Sequence, residues 1–74
     1  MSTEKTKDRM EYFVACVAEF AKAFGLDAQV AFGYLDRYGG IDFLAKCYEA
    51  EHLLSFADAV EDLRRVCRKN GGSL

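Results

Sequence analysis

His52 is the one residue whose type and setting invite a chemical reading. Cys47 precedes it by five residues, and Glu49 and Glu51 flank it. Ligands for a metal must converge on one face of a helix, as two His four apart do. Here Tyr48 and His52 share the inner helical face while Glu49 and Glu51 point elsewhere, so no ligand set is expected. A His near a helix C-terminus can hydrogen-bond the last carbonyls, and that structural role is the reading taken for His52. The three cysteines, Cys16, Cys47 and Cys67, form no CxxC pair. Each lies on or beside an apolar helical stripe, where a reduced cysteine behaves as a small hydrophobe. Ser2 and Ser73 lie near the ends and Ser55 reads as a helix cap, which leaves no activated serine nucleophile. Gly39-Gly40 precedes a helix, but Asp42 stands where a phosphate would sit. Neither a catalytic residue nor a metal or other cofactor is expected; the chain reads as a non-enzyme.

The elements that hold these residues are helical. There is no proline, and glycine is the punctuation: Gly25, Gly33, Gly39-Gly40 and Gly71-Gly72. Asp8 with Glu11 has the spacing of a capping box, with Thr3 or Thr6 as an earlier start. Met10, Phe13, Val14, Val17, Ala21 and Phe24 then recur at three- and four-residue steps, which predicts one buried face of a helix ending at Gly25. Asp27 caps a second helix whose stripe is Val30, Ala31, Tyr34, Leu35 and Tyr38. Gly33, inside it, marks a close helix–helix approach. Ile41, Leu44, Ala45, Tyr48 and His52 share one face of a third helix. Ser55 with Asp58 opens a fourth, striped by Phe56, Ala59, Val60, Leu63, Val66 and Cys67, with acids early and bases late along the dipole. The fold expected is all-α: a compact bundle or orthogonal array of four short helices. Its limits are a frayed tail over residues 1–7, a single domain over 8–71 and a tail over 72–74.

Seventy-four residues make one domain, and 51% of them are hydrophobic, with six Phe and four Tyr. Tyr12, Phe32 and Phe43 fall off the main stripes of their helices. They are the candidate partner-binding residues, serving either a protein partner or a second copy of the chain. The net charge of −2 removes the cheapest electrostatic reason for binding nucleic acid. The alternative keeps that reading open through Arg64, Arg65, Arg68 and Lys69 at the basic end of the last helix, as possible phosphate contacts. No segment has the roughly 20 apolar residues of a membrane span, and MSTEKTKDRM lacks the apolar centre of a signal peptide. The expected place is the cytoplasm.

Glu11-Tyr12-Phe13, Glu19, Tyr38-Gly39, Tyr48-Glu49, His52, the run Ala59 to Leu63 and the closing Gly71 together resemble a bacterial family known as domain of unknown function 3791. The resemblance spans roughly residues 9 to 72. It implies a small helical protein with no assigned activity. It also implies relatives encoded beside, or fused to, a domain resembling an ADP-ribosyltransferase, a setting that suits a regulatory or antitoxin-like partner. It gives Tyr48, Glu49 and His52 a claim to a shared role, packing included, and carries over no catalytic residue.

Overall fold

The computed structural model describes residues 3–74, with side chains from Asp8 onward. The chain forms α1 (Thr3–Phe24), α2 (Ala28–Arg37), α3 (Gly40–Lys46), α4 (Tyr48–Glu51) and α5 (Phe56–Lys69). There is no strand among the described residues, and the architecture is all-α. The sequence-predicted third helix divides at Cys47 into α3 and the single turn α4. Cys47 departs from helical backbone, and its carbonyl accepts from the N–H groups of Ala50 and Glu51.

Two caps lie where the sequence put them. The Asp27 carboxylate accepts from the Gln29 N–H at 2.8 Å, and Ser55 Oγ accepts from the Asp58 N–H at 3.1 Å. Each satisfies an N–H that the helix itself leaves unpaired. Gly25 and Gly71 close α1 and α5 with positive φ. At α5 the Gly72 N–H returns to the Cys67 carbonyl and the Gly71 N–H to that of Arg68, the paired bonds of a Schellman motif. The first helix starts at Thr3, so helix occupies residues 3–7 of the stretch expected as a tail; Met1 and Ser2 lie outside the described residues. The C-terminal residues are also docked. The Leu74 N–H donates to the Tyr34 hydroxyl at 3.1 Å, and Leu74 packs on the core.

The core is built on α1. Cys16 and Phe20 are fully buried there, facing Ala31 and Leu35 of α2, Leu44 of α3, and Ala59, Leu63 and Cys67 of α5. The buried face of α1 is therefore rotated from the one its periodicity predicts. Phe13, Val17 and Phe24 flank it, but Met10 and Val14 are 64% and 68% exposed. The physical reason is that α1 carries two adjacent apolar stripes, and only the one containing Cys16 and Phe20 can face both α2 and α5. Gly33 shows a second difference: no atom lies within 4 Å of a Cβ placed there, so no close helix approach occurs at it. That approach falls at Gly40 instead, where a Cβ would stand 2.8 Å from Leu35 Cδ2.

Leu63 is fully buried at the middle of α5. Leu63→Ala is expected to lower stability by about 2–5 kcal/mol in chemical denaturation, whereas Met10→Ala on the open face should change it by less than about 1 kcal/mol.

Candidate functional site

Two features separate from the core: an apolar groove between α1 and α2, and a polar cluster where α4 meets α1 and α5. The groove encloses about 240 Å³. Phe13, Val14, Val17 and Ala18 of α1 line it on one side and Ala28 and Phe32 of α2 on the other, with Ile41 of α3 completing the lining. Every lining residue is apolar. Phe32 is 49% exposed, and Val14 opposite it is more exposed still. This is the outward-facing stripe of α1 with the one large α2 aromatic that the core does not absorb.

The structure does not gather Tyr12, Phe32 and Phe43 into one patch. Phe43 is half-buried against the core. Tyr12 is also half-buried, edge-on to Tyr48 at 5.5 Å between ring centroids and stacked on Phe56 at 6.1 Å. Both rings became core because the buried face of α1 is rotated toward Tyr12 and α3 is covered on two sides. Only Phe32 remains as an exposed aromatic of the three.

In the polar cluster, Tyr48 is buried and His52 stacks on it, with centroids 4.6 Å apart and planes 7° from parallel. His52 Nδ1 lies 2.8 Å from the Tyr48 carbonyl oxygen. A carbonyl only accepts, so Nδ1 carries the proton and donates. Its ring is exposed rather than on the inner face, because it lies beyond the end of the four-residue α4. Arg9 sits over the Tyr48 ring at 4.6 Å from its centroid. Glu49 is exposed. Glu51, which the sequence points away from the inner face, is instead 6% exposed, with Oε1 buried and unpartnered among the described residues. Leu44, Tyr48 and Glu51 stand at i, i+4 and i+7, so helical spacing alone marks Glu51 as inward-facing. Burial and its contact with Asp62 push the Glu51 carboxyl up to about 7. Burial, with the neighbouring Cys16 thiol, pushes the Tyr12 phenol well above its ordinary range.

On α5, Arg64 Nε donates to Glu61 Oε1 at 3.1 Å, and Arg65 lies 3.6 Å from Glu61 and 3.7 Å from Asp62. The Arg64 guanidinium holds the Glu61 carboxyl below the usual range. Two of the four cations considered for phosphate contact are thus paired within their own helix, and Arg68 and Lys69 stand exposed in its last turn.

A family model described as "Protein of unknown function (DUF3791)" matches residues 11–70, most of the chain. The chain belongs to this family. The DUF3791 match takes in both walls of the groove, the whole of the polar cluster except Arg9, and all the resemblance motifs except Gly71. No curated protein and no solved structure matches the chain. Among the described residues no helix is long and apolar enough to cross a membrane, and no group of three or more His, Cys, Asp or Glu is placed to hold a metal.

The thiols give a direct check of this geometry. Cys16 and Cys67 are fully buried, and burial pushes both thiols above the ordinary cysteine value; Cys47 is only half-buried. A thiol reagent at neutral pH is expected to modify Cys47 first, with Cys16 and Cys67 more than about tenfold slower until denaturant is added. Mass spectrometry of the labelled peptides reads the order.

Proposed function

We propose that this DUF3791 chain is a protein-interaction module without catalytic activity, and that its docking surface is the groove between α1 and α2. The observation that carries the reading is the second apolar stripe of α1. Val14, on the wall of a groove with no polar lining, leaves well over half its surface in water, as does Met10 one helical turn before it. Burying that stripe returns roughly 25 cal/mol for each Å² removed from water. The occupant that fits is an amphipathic helix of another protein, laid along the groove with apolar residues at three- and four-residue steps. A groove lined by two helices can take such a helix, and the exposed Phe32 supplies an aromatic anchor of the kind that dominates such interfaces.

The family resemblance gives the finer form of this proposal: a regulatory or antitoxin-like partner of a neighbouring protein similar to ADP-ribosyltransferases. The nucleic-acid alternative has weaker support, because Arg64 and Arg65 are already paired with acids of α5. Only Arg68 and Lys69 would then meet phosphate, and so few contacts bind weakly at physiological salt.

A photo-crosslinking amino acid at position 32, expressed in the source cells, tests the proposal. One foreign protein should be captured, through a helical segment. A synthetic peptide of that segment should then bind the purified chain, and Phe32→Asp should weaken binding by at least about tenfold while changing stability by less than about 1 kcal/mol. Cross-links only to a second copy of the chain, with a dimer in light scattering, would replace the hetero-partner by self-association. A monomer giving no more cross-links than the same probe at the exposed Lys46 would remove the docking surface altogether.

A further inference from the structure

We propose that the face where α1 meets α5, around Glu19 and Lys22, docks a second copy of this chain across a two-fold axis. A second groove, of about 330 Å³, opens there. Glu19, Lys22 and Ala23 of α1 line it together with Phe56, Ala57 and Val60 of α5. It shares no lining residue with the groove between α1 and α2. Phe56 keeps 41% of its surface in water although its ring stacks on Tyr12. Leu53 and Leu54, which precede it in the chain, are exposed to 78% and 41%. Three large apolar side chains exposed within one short segment, the last of them lining a groove, mark a contact surface rather than scattered exposure.

The charges on this groove select the occupant. Its lining carries one acid and one base, so it offers no net charge to draw a strongly basic or acidic partner. Glu19 and Lys22 stand three residues apart on α1, a spacing at which such a pair closes along a helix. They do not close. Among the described residues neither belongs to an ion pair, whereas Lys46 with Asp42 and Arg64 with Glu61 do at comparable spacings. Each is therefore available to the complementary charge of another molecule, and a second copy of the same surface supplies both.

Under two-fold symmetry a contact from residue i to residue j is repeated from j to i. Two α1 helices laid antiparallel, with the axis level with the step from Phe20 to Ala21, set Glu19 of each copy opposite Lys22 of the other. Phe56, Ala57 and Val60 supply the apolar part of the same contact. Charge pairs at such a rim fix the register of the two copies more than they add affinity, and they penalise a wrong pairing. This surface holds whether or not a foreign helix fills the groove at Phe32.

Analytical ultracentrifugation of the intact chain, from roughly 10 μM to 1 mM, tests the surface. A reversible equilibrium between monomer and dimer is expected. Glu19→Lys and Lys22→Glu each place like charges opposite one another twice, and each should weaken the dimer at least about fivefold. Mixed in equal amounts, the two variants should pair with each other at close to the original strength, because every altered side chain then meets its opposite. Phe32→Asp, in the other groove, should leave the dimer unchanged. A chain that stays monomeric at the highest concentration would overturn the proposal, as would a dimer indifferent to both charge exchanges. A dimer lost with Phe32→Asp but kept by the charge variants would place self-association in the α1–α2 groove and overturn it as well.

Discussion

Phe20 has no exposed surface, and the helices are disposed so as to keep it that way. It lies on the 22-residue α1, which at 1.5 Å per residue runs about 33 Å along a molecule 38 Å in its longest dimension. No shorter helix of this chain could serve as the beam against which both α2 and α5 pack. Around Phe20 runs an aromatic series: Phe24 at 4.7 Å, Tyr34 at 5.9 Å, and Tyr38 a further 4.9 Å from Tyr34. The far end of that series is polar. The Tyr34 hydroxyl receives the Leu74 amide, and the Tyr38 carbonyl receives Asn70 Nδ2 at 2.8 Å, so the end of α5 is tied to α2 through groups the aromatics present. Gly72 belongs to the same junction, since a Cβ there would collide with the Tyr34 hydroxyl and the Cys67 carbonyl. A domain of this size buries only about 60% of the surface its unfolded chain exposes. Once one helix face is committed to Phe20, the neighbouring stripe is left without cover.

That constraint explains what could and could not be read from the residues alone. The ends marked by Asp27, Ser55, Gly25 and Gly71 were legible because they are local: Asp27 and Ser55 cap within three residues, and Gly25 and Gly71 need only their own φ. The register of α5 was legible because it has one apolar stripe, and Ala59, Leu63 and Cys67 are its buried members. The register of α1 was not. Its apolar residues cover a wide arc, and periodicity averages over that arc without saying which edge meets a neighbour. From the residues alone Met10 and Val14 therefore read as inward, and Tyr12 as outward.

Glu51 shows a different limit. Its position in the i, i+4, i+7 series of Leu44 and Tyr48 places it inward, yet its charge argues for solvent. The face read from the residues, through Tyr48 and His52, points Glu51 elsewhere; in the structure Glu51 is buried and His52 exposed. Its neighbour on α5, Asp62, is eleven residues away and across a turn. Sequence spacing cannot announce such a neighbour. His52 was assigned a carbonyl contact correctly in kind, and it lies on the outside because α4 is only one turn long.

Gly33 carries a consequence of another sort. It stands in the interior of α2 with open space where a side chain would be, next to Phe32 on the groove wall. A glycine there forgoes about 1 kcal/mol of helix stability relative to alanine, and nothing inside the molecule requires the omission. In a short ten-residue helix that slack lowers the work of opening its middle turn. The wall that bears Phe32 is thus the more compliant of the two, while the α1 wall is backed by Cys16 and Phe20. If a partner helix docks in the groove as proposed, its Phe32 wall is the one expected to adjust to the bulk of the side chains it receives.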